Sequence, residues 1–490
     1  MALFQAPQLN DEQQAAVQTA LAVAADCGHM ALIGPAGTGK TTTIRAIAHA
    51  LQRISPAKSV LLLAPTHKAR RQLQAARLPR GAQAWTVQKF CQVRPEQWRD
   101  QDKFRMTGNQ LQMIQQLQSK FSFVIVDESS MVASELAAAV VDTAMHAGVP
   151  VMFAGDPYQL PPADRQEVEY DEFADNGPET AMASEFVDAP VIARLSRVMR
   201  HGGPVLSFAT SIRDDWSTLH SFPEQPAKDD ESEIRLSSSF EDAFIVAFSD
   251  SFDNYADEPE ALYKAAPRAL CYMNSTVRDL TRSLRERIYG GAAMVTWQPG
   301  ELITFKDYTK TDVGFIHSSA DAIVIDSEVV ELPKIQATVG YVTPATNRSK
   351  TLTMSFSATV QRISVQPMNP DGTPDSSGVH TVHAPLCGDT APIDRYRELK
   401  QALMNRRLGA DHAGWKWLKQ EVKEQYLNVI YSAFVMTVHK SQGSTFRDVF
   451  VHRDLLRVGE DDRERRNALL YVAATRASKS LTFGAANAHV

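Results

Sequence analysis

Gly34-Pro-Ala-Gly-Thr-Gly-Lys40-Thr41 is the stretch on which the reading of this chain turns. It satisfies G-x-x-x-x-G-K-[ST], a loop whose glycines let backbone N–H groups close around phosphates. The apolar run Met30–Ile33 before it predicts a strand, and Thr42–Gln52 after it predicts a helix. The helix N-terminus adds partial positive charge where phosphate would sit. In such a loop Gly34, Pro35, Ala36, Gly37, Thr38, Gly39 and Thr42 surround the phosphates. Lys40 reaches the β- and γ-phosphates and Thr41 ligates Mg2+. A plain glycine turn would need neither the lysine nor the threonine. The stretch therefore implies a nucleoside triphosphate site, without saying what hydrolysis drives.

Working outward, residues 1 to about 165 alternate apolar runs with helical stretches, the pattern of a parallel α/β sheet. The expected strands are 30–33, 59–64, 122–126 and 149–154. Ligands bind beyond the carboxyl ends of such strands, and two of these runs end in chemistry. Val124-Ile-Val-Asp127-Glu128 delivers adjacent carboxylates. Asp127 is expected to hold Mg2+, and Glu128 to orient and deprotonate the attacking water. A solvated acidic pair is the plainer alternative, and the phosphate loop upstream decides against it. Gly155-Asp-Pro-Tyr-Gln159 follows the last run, with Gln159 placed to sense a γ-phosphate.

A second α/β pattern starts near Val191, after an acidic, turn-rich stretch at 164–179. It includes a strand at 269–273 and an amphipathic helix at 275–288. Residues 300–390 turn rich in Val, Ile, Thr and Ser with short alternation, which predicts a small β module. Helices are expected near 392–407 and 413–427, and Trp415, Trp417 and Tyr426 on the second of these read as packing. The α/β pattern resumes at 433–437, 449–452 and a helix around 463–477, with no internal repeat apparent.

The chain has 490 residues, 44% of them hydrophobic, enough for several cores. Its formal net charge of −6 excludes a broadly basic nucleic-acid coat but not a local basic channel. Cys27, Cys91, Cys271 and Cys387 are far apart, which supports neither a zinc module nor a disulfide framework and fits a reducing cytoplasm. No signal peptide and no spanning helix are read, so no membrane association is expected.

Further motifs, in this order, resemble those of superfamily 1 helicases. Leu9-Asn-Asp-Glu-Gln13 is similar to the adenine-reading Q-motif, with Gln13 as reader. Ala64-Pro65-Thr66-His67-Lys-Ala69 resembles motif Ia, which grips single-stranded DNA. Thr86-Val-Gln88-Lys-Phe90 sits where a T-I-H-S-type DNA contact is expected, with Gln88 replacing the usual histidine. Leu195-Ser-Arg-Val-Met-Arg200 resembles motif IV and implies Arg200 at the γ-phosphate. Thr437-Val-His439-Lys440-Ser441-Gln442-Gly443 resembles motif V of the 5′→3′ branch. Its Thr437, His439, Lys440 and Ser441 offer donors to a phosphate backbone, and Gly443 borders the nucleotide. Leu469-Leu-Tyr-Val-Ala-Ala-Thr475-Arg476 resembles motif VI, with Arg476 as arginine finger. A-P-T-H-K-A together with H-K-S-Q-G is most similar to the RecD-like branch, and the compact length to phage Dda-type helicases.

The resemblance implies an α/β fold of two RecA-like parallel-sheet motor domains with a small SH3-like β insertion in the second. The expected boundaries are 1–190 for the first motor, with an insertion at about 91–121, then 191–300 and 428–490 for the second. The β-rich module with its helices falls at 301–427. ATP and Mg2+ are the implied ligands. Single-stranded and forked duplex DNA are the implied partners, with single-stranded-DNA-binding or replication proteins besides. A monomer in a bacterial or phage-infected cytoplasm is expected. Trp98 or Phe104 would tip a strand-separating pin, against the plainer reading as a local core. RNA in place of DNA, or a clamp that switches without unwinding, stays open at this stage. A nuclease or relaxase is disfavoured, because no further metal-ligand cluster or tyrosine-nucleophile domain precedes the phosphate loop.

Overall fold

The computed structural model describes residues 9–75, 78–92, 110–161, 186, 188–199, 202–343, 348–409, 412–459 and 462–484. Arg200, Trp98 and Phe104 lie outside these residues, as does the acidic stretch 164–179.

Six parallel strands form the first sheet: β1 (His29–Ile33), β2 (Ser59–Ala64), β3 (Gln83–Thr86), β4 (Phe121–Val126), β5 (Val151–Gly155) and β6 (Ile192–Arg194). Their order is β3-β2-β4-β5-β1-β6. The strands read as continuous apolar runs because helices cover both faces, and two buried clusters fill those faces. β6 corrects the sequence reading: Ile192–Arg194 was expected to open the second pattern, but it pairs with β1. Three residues carry too little alternation to declare a sheet, so tertiary context decides.

The second sheet has the order β19-β9-β20-β21-β8-β7. It takes β7 (Ala227–Lys228), β8 (Glu233–Ser237) and β9 (Arg268–Cys271) from the middle of the chain. The inserted strands come next: β10 (Leu302–Phe305), β11 (Thr309–Lys310), β12 (Phe315–Ile316), β13 (Asp321–Glu331), β14 (Ile335–Thr343), β15 (Arg348–Phe356), β16 (Thr359–Pro367), β17 (His380–Pro385) and β18 (Ile430–Ser432). Then β19 (Val435–Thr437), β20 (Phe446–Val451) and β21 (Ala477–Gly484) complete the second sheet. The helix Arg463–Arg476 between β20 and β21 is buried on all sides from Asn467 onward. This explains its Ala, Leu and Val content and its lack of a polar face. Asn467 survives there because its amide donates to Trp216 O and Thr218 O and accepts from His220 N.

The chain divides into two compact units. One comprises residues 1–240, 268–276 and 436–490 and so holds both sets of motifs; the other comprises 241–267 and 277–435. In the latter, β17-β16-β13-β10-β18 make an antiparallel sheet around Ile303, Phe305, Val324 and Ile363. A separate core of Val339, Met354, Phe356, Leu403, Leu418 and Val422 joins the β14–β15 ribbon to the helices that follow. Trp415, Trp417 and Tyr426 pack against that core. Arg285 and Glu301 form a buried ion pair in this unit, with Arg285 also 4.3 Å from the Trp297 ring. Among the described residues no helix is long and apolar enough to cross a membrane.

Candidate nucleotide site and nucleic-acid interface

The phosphate loop takes the shape its glycines permit. Gly37 and Gly39 sit at φ +83° and +82°, left-handed backbone that glycine alone adopts freely. A Cβ on Gly39 would run into the Gln13 carboxamide. Gln13 closes a capping box with Asn10 at the start of the helix Asp11–Ala25, and its Nε2 donates to Thr38 O at 3.2 Å. Lys40 Nζ donates to the carbonyls of Gly34 (2.7 Å) and Pro35 (3.1 Å). The ammonium is thus held over the loop, where phosphate oxygens can replace those carbonyls. Thr41 is exposed and Thr42 half-buried in the first turn of the helix Lys40–Ile54.

β4 carries Asp127 to its carboxyl end, and β5 carries Asp156. Burial first, and then the neighbouring Glu128 charge, push the Asp127 carboxyl up to about 7, against the pull of Lys40. Glu128 adopts φ +52°, uncommon for a residue with a side chain, and its Oε2 is buried without a hydrogen-bond partner. Gln159 Oε1 is likewise buried and unpartnered, while its Nε2 lies 3.4 Å from Asp156 Oδ2. An orphaned buried acceptor costs about 1–3 kcal/mol, so two on one site call for donors from a ligand. Thr41 and Asp127 supply hard oxygen ligands, and this donor set fits Mg2+.

Two contacts tie this site to the second sheet, and sequence reasoning anticipated neither. Tyr471, buried on the helix Arg463–Arg476, donates its hydroxyl to Asp156 Oδ2 at 2.8 Å and accepts from Ala36 N at 3.3 Å. Gln72, on the helix His67–Ala75, donates to Gly443 O at 2.6 Å. Gly443 has φ +75°, and a Cβ there would lie 3.7 Å from Glu128 Oε1. A lone tyrosine in a run of Ala, Val and Leu was the available signal for Tyr471, since a buried hydroxyl needs a partner.

The motif residues expected to meet nucleic acid share one local device. Thr86 and Thr437 end their strands, Thr66 lies two residues past the end of β2, and each caps the turn that leaves the strand. Their hydroxyls accept from Ala69 N (3.1 Å), Lys89 N (3.2 Å) and Lys440 N (3.3 Å). Gln88 Nε2 donates to Pro65 O at 3.2 Å and so links two of these turns. Lys89 and Lys440 are exposed, His439 is half-exposed, and Ser441 is buried with its hydroxyl on Val438 O. Desolvation, aided by the Arg70 charge, holds the His67 imidazolium below its usual range. Thr86-Val-Gln-Lys and Thr437-Val-His-Lys thus repeat one capped turn on edge strands of the two sheets, a short repeat that the sequence reading missed.

Arg476 is buried, with its guanidinium donating to Val472 O (3.1 Å), Ser444 O (3.0 Å) and Thr475 Oγ1 (3.0 Å). None of these partners belongs to the phosphate loop. Cys271, His452 and Asp454 cluster at the end of β9, but both Asp454 oxygens accept backbone N–H groups, from Tyr272 and Met273. That carboxylate closes a strand end.

Residues 8–215 match the family model described as AAA domain, and residues 432–483 match that of the UvrD-like helicase C-terminal domain. An uncharacterized protein of Acanthamoeba polyphaga mimivirus is 22% identical over 501 aligned positions, covering 92% of this chain and 94% of that one. Among solved structures, the Pif1 helicase from Candida albicans aligns at 15% identity and a TM-score of 0.43, covering 98% of this chain and 95% of that chain. The Bacteroides Pif1 helicase in complex with ADP-AlF3 and ssDNA aligns at 15% identity and a TM-score of 0.46, covering 97% and 92%. With an AAA domain ahead of a UvrD-like helicase C-terminal domain, and the motif series running through both, the chain belongs to the superfamily 1 helicases.

Proposed function

We propose that this chain is an ATP-driven DNA helicase of the RecD-like branch, moving 5′→3′ on single-stranded DNA and unwinding the duplex ahead. The observation that carries this reading is the meeting at Gly443. There the H-K-S-Q-G loop lies beside Glu128 and is hydrogen bonded by Gln72 of the A-P-T-H-K-A helix. The hydrolytic carboxylate and two strand-gripping turns therefore share a junction, as a motor needs if hydrolysis is to shift its grip.

In this reading Gln13 recognises the base and the loop Gly34–Thr42 receives the phosphates. Lys40 exchanges its loop carbonyls for β- and γ-phosphate oxygens. Thr41 and Asp127 would hold Mg2+, which supplies charge neutralisation on the phosphates when bound. Glu128 accepts the proton of the attacking water, and Gln159 reads the γ-phosphate. Arg476 is the transition-state cation, held in place by Ser444 O and Val472 O so that little reorganisation is needed. Arg200 is assigned the same phosphate by its motif. Thr66, His67, Gln88, His439 and Lys440 hold the backbone of a single strand, contacts that tolerate any base sequence. The five-stranded antiparallel sheet serves as the SH3-like module.

The test compares ATP-driven unwinding of duplexes bearing a 5′ or a 3′ single-stranded tail, with Lys40→Ala as control. Unwinding from the 5′ tail alone is expected. Unwinding only from the 3′ tail rejects the polarity, and DNA-stimulated hydrolysis without unwinding from either tail favours a clamp. Preference for RNA tails of the same length would reject the DNA assignment.

A further inference from the structure

Charge is distributed very unevenly along this chain. Residues 332–358 and 391–427, which build the β14–β15 ribbon and the helices on it, carry eleven Lys and Arg against five Asp and Glu. That is +6 in a chain of net −6, leaving −12 on the remainder. These segments share their own hydrophobic core, so the excess belongs to one structural lobe.

The cations concentrate at one end of it. Register pairs Tyr341 with Lys350 across the ribbon, and alternation puts Arg348 on the same face. The Arg406 guanidinium lies 5.5 Å from the centre of the Tyr341 ring, and Arg407 follows it in left-handed backbone at φ +51°. The His412 ring meets Gly340 O at 2.9 Å and caps the short helix Ala413–Trp417, which carries Lys416. Arg348, Lys350, Arg407 and Lys416 are exposed, and none pairs with a carboxylate among the described residues. The acids of the helix Ala391–Asn405 are engaged at its other end, where Asp394 meets Arg397 and Glu398 meets Arg395. Four exposed cations that pair with no carboxylate among the described residues repel one another, a cost that a polyanion removes.

We propose that this basic tip is a second nucleic-acid contact, separate from the single-strand track of the motor, gripping a phosphodiester backbone. Two backbones present that chemistry at a fork: the duplex ahead and the displaced strand. Charge complementarity selects the partner, and no base-reading group is needed, since phosphate contacts position a protein without specifying sequence. The inference rests on the helicase reading for its purpose but not for its measurement.

The test uses the full chain and the variant Arg348→Gln/Lys350→Gln/Arg407→Asn, whose three positions are exposed and outside the nucleotide site. Equilibrium binding is measured over a salt series with a short single strand, a 5′-tailed duplex and a fork carrying both tails. The single strand should bind both proteins alike and stimulate hydrolysis alike. On the fork the variant should bind about tenfold more weakly in low salt, with a log–log salt slope shallower by about two to three. An equal loss on the 5′-tailed duplex assigns the tip to duplex; a loss confined to the fork assigns it to the displaced strand. Identical affinities and slopes on all three DNAs would overturn the proposal, as would a loss of the same size on the short single strand. Absence of unwinding by the unmodified protein would instead count against the helicase reading alone.

Discussion

Asp127 should make the binding of Mg2+-nucleotide depend steeply on pH, with a sign fixed by its surroundings. Burial and the Glu128 charge raise its carboxyl from 3.8 to about 7, so near neutrality a proton competes with the cation. With a midpoint of about 7, the ionised fraction is about nine-tenths at pH 8 and about one-tenth at pH 6. Mg2+-dependent binding of a fluorescent ADP should therefore weaken about tenfold across that interval. The nucleotide has its own titration, and Glu128→Gln separates the two. Removing the second cause of the shift lowers the Asp127 midpoint, so the variant should lose much less affinity at pH 6 while the nucleotide titrates as before. The same logic gives a stability trend in the absence of Mg2+. Between pH of about 4 and about 7 the folded chain keeps a proton that the unfolded chain has released. The contribution of Asp127 to stability therefore falls as pH rises through that window, and bound Mg2+ restores it. Superimposable pH profiles for the parent protein and Glu128→Gln would refute the reasoning.

Tyr471→Phe keeps the buried ring but removes a hydroxyl shared by Asp156 and Ala36. A hydrogen bond to a charged group contributes about 1.5–3 kcal/mol. DNA-stimulated hydrolysis should fall at least tenfold while hydrolysis without DNA changes little, and equal effects on both rates would mean that the residue only packs. Glu301→Ala leaves Arg285 buried without its partner. It should destabilise the unit of residues 241–267 and 277–435 by about 3–5 kcal/mol, seen as faster hydrogen exchange there and not in the phosphate-loop region. Burial pushes the Cys91 thiol up to about 12 and raises Cys271 well above its usual range, whereas Cys27 is exposed. Iodoacetamide at pH 8 should label Cys27 in the native protein and spare Cys91 and Cys271 until it unfolds, as read by mass spectrometry.

What the sequence disclosed and what it hid divide along a physical line. The strand ahead of Gly34, the strand that delivers Asp127 and the helix Arg463–Arg476 are fixed by local periodicity and by residue types that phosphate chemistry restricts. β2 falls at 59–64 as expected, and the helix forecast at 275–288 runs from Asn274 to Tyr289. Short strands failed that test. Ile192–Arg194 has too few residues to show a period, and its place beside β1 depends on the rest of the sheet. The contacts linking the two sheets were less legible still, because their chemistry is generic. A tyrosine hydroxyl and a glutamine amide suit any partner, and only the fold brings Tyr471 to Asp156, or Gln72 to Gly443.

That division bears on how the motor would work. In the proposed reading, the residues that phosphate chemistry restricts perform hydrolysis, and such residues can be found one at a time. Coupling needs groups that hold in one nucleotide state and release in another. Tyr471 fits this requirement. Its hydroxyl takes the N–H of Ala36 inside the phosphate loop while donating to Asp156, three residues before Gln159. A nucleotide that shifts the loop or recruits Gln159 must disturb the same hydroxyl. The helix that carries it ends at Arg476, whose guanidinium fastens Ser444 one residue beyond Gly443. One rigid helix thus joins the phosphate loop to the loop beside Glu128. In the proposed reading, nucleotide occupancy would reach the turn at Thr437 through this helix.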